Sequence, residues 1–258
     1  MLIESRDNQH IKAAKALQTR KTRDREGLFL LEGTKMVSEA LTCPGLVETI
    51  FHVTGEPVPL AGGGTPFQGQ IYEIAPRLAA VLAETETPQG VFAVCRKPAV
   101  QEISELAGGC WLLLDGIQDP GNLGTMLRTA WAVGVDGVIL TSGCVDPYNA
   151  KSLRAGMGAT FRLPLLPNVT VQDLEMAKQK GYRLLACLSG GQPVFAADLT
   201  GRIILAVGSE GSGLTEAVTR LADGTIGLPL APGVDSLNAA VAAGVVLYEA
   251  WRQRNLAE

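Results

Sequence analysis

Apolar residues are spaced differently in the two halves of the chain. Up to about residue 97 the elements are short and mixed. Asn8 to Leu17 places Ile11, Ala14 and Leu17 on one side and predicts a short amphipathic helix. GLFLLEG, Gly27 to Gly33, reads as a buried strand. Thr34 to Leu41 reads as a helix stopped by CPG. Val47 to Val53 alternates as a strand does, QIYEIA is another strand, and PRLAAVLAE is a helix with proline in its first turn. GVFAVCR closes this part as a strand, and the stretch at 55–69, GEPVPLAGGGTPFQG, is loop by composition. KPAVQEISELAGG, Lys97 to Gly109, is polar with a proline and a glycine pair, and reads as a linker.

From Trp111 the pattern becomes βαβ. WLLLDGI, DGVILTS, FRLPLL, YRLLACL, RIILAVGSE and GTIGLPL are strand-like. Between and after them lie helical stretches: GNLGTMLRTAWAVG, NAKSLRAGMGA, Val171 to Lys180, Leu214 to Leu221, and Leu237 to Arg254. Nearly continuous apolar strands separated by helices predict a parallel sheet covered on both faces. Ligands of such sheets sit beyond the carboxyl ends of the strands. The expectation is an α/β protein with a small domain at 1–97, a linker at 98–109 and a parallel-sheet domain at 110–258.

Composition agrees with that picture. A chain of 258 residues is at the size where one core tends to split into two. The longest apolar stretch, LNAAVAAGVVLYEAW, carries Asn238 and Glu249 and reads as a buried helix rather than a membrane span. The polar N-terminus does not read as a signal peptide. The five cysteines have no paired spacing and read as reduced thiols of a cytoplasmic protein. The two histidines, His10 and His52, lack ligand spacing, so no metal is expected. A net charge of −4 argues against a nucleic-acid partner until its distribution is considered. Residues 1–35 hold 8 Lys+Arg against 5 Asp+Glu, and the remainder holds 14 against 21. The basic peak at Arg20, Lys21, Arg23 and Arg25 suits either a solvated helix face or a phosphate-binding surface.

Three strand ends carry candidate chemistry. DPGNLGTMLR has neither GxGxxG nor a P-loop, which argues against a dinucleotide or triphosphate. Asn122 can cap the following helix, and Arg128 shares a helical face with Gly124. By itself, Arg128 reads first as an ordinary solvent-facing arginine. In AVGSEGSGL, glycines leave main-chain groups free for a ligand edge such as an adenine, around the single carboxylate Glu210. In LPLAPGVDSLNAAVAAG, Ser236, Leu237 and Asn238 open a helix whose Ala239, Ala240, Ala242, Ala243 and Gly244 allow close packing.

Taken together in order, NLGTMLRTA, VGSEGSGL and LPLAPGVDSLNAAVAAG resemble the three motifs of the SpoU (TrmH-like) family of RNA ribose 2′-O-methyltransferases, in the SPOUT superfamily. The resemblance covers about 108–258 strongly. NQHIKAAKAL and FLLEGTKMVSEAL are similar to that family's RNA-binding extension, whose fold is like that of small ribosomal proteins. The resemblance implies a deep trefoil knot in the C-terminal domain, a homodimer, and S-adenosylmethionine held mainly by main chain. By position, Gly208, Glu210, Gly211, Leu228, Leu230, Leu237 and Ala239 would hold that cofactor. It also implies attack by a ribose 2′-oxygen on the cofactor's methyl carbon, with Arg128, Asn122, Glu210, Ser236 and Asn238 as the catalytic set. A guanidinium stays protonated at neutral pH, so Arg128 fits a grip on an RNA phosphate, or stabilisation of developing alkoxide charge, better than it fits a base.

The third motif departs from the common SLNVSVA at Ala240, and LPL replaces the usual IPM. Both changes keep small or apolar volume and put one hydroxyl in doubt. The long N-terminal domain resembles rRNA enzymes more than tRNA enzymes, so the expected partner is large-subunit rRNA ahead of tRNA, bound in part through Arg20, Lys21, Arg23, Arg25 and Arg128. Alternatives are a tRNA 2′-O-methyltransferase, a base methyltransferase of the same superfamily, and a non-catalytic RNA-binding or assembly protein with this fold. An NAD-dependent enzyme lacks its glycine fingerprint here.

Overall fold

The computed structural model describes residues 2–59 and 67–256. Part of the loop expected at 55–69, residues 60–66, lies outside them. The chain forms two compact units. One comprises 1–98 with 148–162, the other 99–147 with 163–258.

The first unit is built on β1 (Leu2–Ile3), β2 (Leu28–Glu32), β3 (Val47–Val53), β4 (Gln70–Ile74) and β5 (Val91–Arg96), in the order β1-β4-β3-β5-β2. Strand β3 is parallel to β4 and antiparallel to β5, so the sheet is mixed. Alternation along the strands divides the core. Phe51, Ile74, Phe92 and Val94 pack under α1 (Gln9–Ala16) and α4 (Pro76–Leu82). Phe29, Leu31, Ile50, Ala93 and Cys95 pack under α3 (Thr34–Leu41). The basic stretch forms α2 (Arg20–Glu26), closed by Gly27 in the left-handed conformation, φ 65°.

The second unit is a sheet of six parallel strands in the order β11-β9-β10-β6-β7-β8. The strands are β6 (Cys110–Asp115), β7 (Gly137–Thr141), β8 (Leu165–Val169), β9 (Arg183–Pro193), β10 (Ile203–Gly208) and β11 (Gly224–Gly227). Helix α5 (Pro120–Val133) follows β6, and α6 (Ala150–Gly156) is an excursion that belongs to the first unit. Then come α7 (Val171–Gln179), α8 (Glu216–Leu221) and α9 (Ala239–Asn255). Trp111, Leu113, Ile204 and Ala206 pack with Leu174, Ala177 and Val218 on one face. Helices α5 and α9 pack on each other, and the small residues Ala239, Ala240 and Ala243 of α9 are buried.

The observed units divide the chain differently from the expected boundaries. Leu153 and Phe161 are buried among Phe29 and Leu31, which draws 148–162 into the first unit. Ile103 and Leu106 of the expected linker are buried in the second unit's core, and the Trp111 indole N–H donates to the Ala107 carbonyl at 2.8 Å. Burial periodicity is local, so it predicts the helix at 149–159 without saying which sheet the helix covers.

Candidate active site

Strands β10 and β6 are central and adjacent, and Gly208 pairs with Asp115 at their carboxyl ends. The chain leaves β6 toward β7 on one side and leaves β10 toward β11 on the other, which makes this pair the topological switch point where α/β sheets bind ligands. Two clefts meet there.

The first cleft, about 220 Å³, is formed by the ends of β9, β10 and β11 and the start of α9. Leu188, Val207, Ile226, Leu228, Leu237 and Val246 supply its apolar wall. Its polar side chains include Ser189, Ser209, Glu210, Asp235 and Ser236. No lysine, arginine or histidine lines it among the described residues. Main chain comes close at Gly208, where an added Cβ would overlap Gly213 and Leu214, and at Gly227, where it would meet the Leu188 carbonyl. Burial pushes the Cys187 thiol in the wall up to about 12, so it stays protonated and is no nucleophile at neutral pH.

The second cleft, about 430 Å³, is lined by Ile117, Gln118, Asp119, Asn122, Ser209, Glu210, Gly211, Ser212 and Ala239. Ser209, Glu210 and Ala239 border both clefts.

Glu210 ties the site together. Its Oε1 accepts from the Asn122 amide at 2.6 Å and from the Asn238 amide at 2.5 Å, and Asn238 also donates to Asn122 Oδ1 at 3.1 Å. Three segments separated by 88 and 28 residues meet at one carboxylate. Asn238 is anchored because its Oδ1 caps α9, accepting from the Ala240 and Val241 N–H groups at 3.0 and 3.2 Å. Asn122 does not cap α5, as its position had suggested. Asp119 does, accepting from the Asn122 main-chain N–H at 2.8 Å. Proline at the first helical position moves the cap upstream and frees the Asn122 side chain for Glu210.

Other expected residues fall as follows. Gly208, Glu210, Leu228, Leu230, Ser236, Leu237 and Ala239 line the first cleft, while Gly211 lines only the second. Arg128 is exposed, lines neither cleft, and has no hydrogen-bond or ion-pair partner among the described residues. In the basic stretch, Arg23 is withdrawn from the RNA-contacting set. Its side chain is only 4% exposed and donates to the Leu17 and Gln18 carbonyls at 2.8 and 2.9 Å, closing the turn between α1 and α2. A short helix of seven residues cannot point four basic side chains the same way. Arg20 lies 3.6 Å from Asp24, Arg25 pairs with Glu26, and Lys21 stays exposed.

Sequence reasoning missed Gln118, Asp119 and Ser212 of the second cleft, Leu188 and Ser189 at the end of β9, and Asp115. Only Asp115 carried a signal, as a carboxylate closing the apolar run WLLLD. No group of His, Cys, Asp and Glu with metal-binding geometry occurs among the described residues. No helix there is long and apolar enough to cross a membrane.

Fold and site together define an α/β protein with two adjoining clefts at the carboxyl ends of its central strands, neither lined by a cation among the described residues. The model of the SpoU rRNA methylase family matches residues 109–248, and that of the MRM3-like substrate binding domain matches 8–93. The 23S rRNA (guanosine(2553)-2′-O)-methyltransferase RlmP of Bacillus subtilis is 37% identical over 249 residues, 95% of this chain and 97% of its own. The AdoMet-bound rRNA methyltransferase of Sinorhizobium meliloti superposes with a TM-score of 0.85 at 26% identity, covering 98% of both chains. The SpoU methyltransferase AviRb of Streptomyces viridochromogenes, in complex with AdoMet, gives 0.84 at 31% identity, over 95% of this chain and 98% of that one. The chain belongs to the SpoU rRNA methylase family. It is an RNA 2′-O-methyltransferase, and its methyl donor is S-adenosylmethionine.

Proposed function

We propose that this enzyme methylates a ribose 2′-oxygen of large-subunit rRNA, with the cofactor in the first cleft and the acceptor ribose in the second. The observation that carries this assignment is Glu210, which stands on both clefts and holds Asn122 and Asn238 between them. The first cleft fits the donor by charge. A phosphate-bearing cofactor would need cations or a free helix N-terminus. An adenosine carrying a sulfonium needs an apolar wall, main-chain hydrogen bonds and nearby carboxylates, which Glu210 and Asp235 supply. Bound there, S-adenosylmethionine presents its methyl group on a good leaving group.

The protein's part is positioning. Asn122, Glu210 and Asn238 hold a fixed polar edge against the acceptor ribose. No cation lines the second cleft among the described residues, so it suits a neutral sugar, and the adjacent phosphate is gripped by Arg128, which has no partner among the described residues. Its guanidinium also stabilises charge developing on the attacking oxygen. Arg20, Lys21 and Arg25 of the first unit contact phosphates elsewhere on the RNA.

The same reading includes a cytoplasmic location, a homodimer and a knotted C-terminal path. Support for the dimer is the exposed apolar stripe Val241, Val245, Tyr248 and Trp251 on α9, with Trp131 on α5. The knotted path is what the chain's membership of the family implies.

The test uses tritiated S-adenosylmethionine with unmodified 23S rRNA and, separately, total tRNA, followed by nucleoside digestion. Label as a 2′-O-methylnucleoside from rRNA is expected. Arg128→Ala should lower kcat/KM by about 10- to 100-fold, as loss of a charge-stabilising group does. Label only in tRNA would overturn the rRNA assignment, and undiminished turnover by Arg128→Ala would remove the arginine from the site.

A further inference from the structure

We propose that Asp115 is a positioning residue for the cofactor-binding loop at 208–215, acting through hydrogen bonds beneath the loop and not by touching the cofactor. This rests on the first cleft being the cofactor site.

Asp115 is the last residue of β6 and only 3% exposed. A carboxylate at such a position is costly unless its oxygens are satisfied. Oδ1 accepts from the Thr141 hydroxyl at 2.9 Å, at the end of β7, and Oδ2 accepts from the Thr215 main-chain N–H at 2.6 Å. The Thr141 hydroxyl in turn accepts from the Gly116 N–H at 3.0 Å. One buried carboxylate therefore joins the ends of β6 and β7 to the start of α8, across 26 and 100 residues.

The loop from β10 leaves and returns beside this carboxylate. Gly208 is the strand partner of Asp115, and Thr215 is bonded to it. Between them, Ser209 and Gly213 exchange main-chain hydrogen bonds at 3.1 and 2.9 Å, and Gly208 lies too close to Gly213 and Leu214 for any Cβ. Gly208, Ser209, Glu210 and Gly213 of this closed turn all line the first cleft. Asp115 and Thr141 do not. The base of the loop is thus set by Asp115, its tip by the amides on Glu210. Loosening the base displaces Gly208, Ser209 and Gly213 at once, while the Asn122 and Asn238 amides keep Glu210 in place.

Three variants test this: Asp115→Asn, Thr141→Val and Thr141→Ser. Binding of S-adenosylhomocysteine is measured by titration calorimetry, KM for S-adenosylmethionine and kcat with RNA by methyl transfer, and melting temperature without ligand. An asparagine amide presents a donor where the carboxylate accepted, so Asp115→Asn should weaken S-adenosylhomocysteine binding about ten-fold or more, the scale of a hydrogen bond to a charged group. KM for the donor should rise in parallel, while kcat at saturating donor changes less than about three-fold. Thr141→Val should act in the same direction by about three-fold, and Thr141→Ser, which keeps the hydroxyl, should match wild type. A merely structural Asp115 would lower the melting temperature and leave KM unmoved, which would overturn the proposal. If Asp115→Asn does not fold, equal affinities of Thr141→Val and Thr141→Ser would do the same. Absence of S-adenosylhomocysteine binding by wild type would instead overturn the assignment of the cleft.

Discussion

The two units differ in charge as much as in architecture. Residues 1–98 with 148–162 carry 14 Lys+Arg against 11 Asp+Glu, while 99–147 with 163–258 carry 8 against 15. A polyanionic substrate thus meets a unit of net +3 and a unit of net −7. On the proposed assignment of the clefts, the negative unit takes a neutral sugar and a cationic sulfonium, which the carboxylates of Glu210 and Asp235 favour. The positive unit, which includes the match to the MRM3-like substrate binding domain at 8–93, is the one proposed to meet the RNA backbone, where cations give affinity and salt dependence but no chemistry. Net charge of the whole chain, −4, therefore describes neither unit.

The sharpest way to break this comparison is at Gly208. Gly208→Ala places a Cβ into the main chain of Gly213 and Leu214, where no side chain can move aside. Loss of S-adenosylhomocysteine binding in calorimetry is expected, with RNA affinity of the soluble variant retained. Parallel loss of both would show that the units do not divide the work.

Next comes Glu210→Ala, which leaves the Asn122 and Asn238 amides without their shared acceptor. Methyl transfer should fall on the order of 100-fold in kcat, as when a positioned polar group at the reacting centre is removed. A change confined to KM for RNA would instead make Glu210 a binding residue.

Smaller effects belong to the first unit. Replacing Arg20, Lys21 and Arg25 by alanine should weaken RNA binding and flatten its log–log salt slope by about 0.7–0.9 for each phosphate no longer neutralised. Arg23→Ala should do otherwise, lowering stability by removing the closure of the α1–α2 turn, with the salt slope unchanged. An unchanged slope in the triple variant would move the RNA surface off α2.

Smallest is the Lys97–Asp24 pair, 2.7 Å. The Lys97 ammonium donates to Asp24 and holds its carboxyl below the ordinary 3.8. A depressed carboxyl pKa stabilises the fold above the unfolded value and loses that contribution as pH falls through the folded value. Lys97→Met should therefore cost no more than about 1 kcal/mol at pH 7, since Asp24 is half exposed. In urea melts the difference should vanish as the pH is taken well below 3.8.

Much of this architecture was legible in the amino-acid sequence. Continuous apolar runs required a parallel sheet, because a strand buried on both faces has no polar side to show. Gly208 marked where main chain is approached closely, and the small residues Ala239, Ala240 and Ala243 marked a tightly packed helix start. The family resemblance singled out Leu228, Leu230 and Leu237, which line the first cleft. Tertiary structure alone decided the rest, because those facts concern which distant segments meet. Asn122, Glu210 and Asn238 became one hydrogen-bonded unit only when three strand ends converged. Arg23 turned inward because nearby carbonyls were left unsatisfied, which composition cannot show. Residues 148–162 joined the first unit because Leu153 and Phe161 found a partner face there, and hydrophobic periodicity says that a face is buried without saying against what.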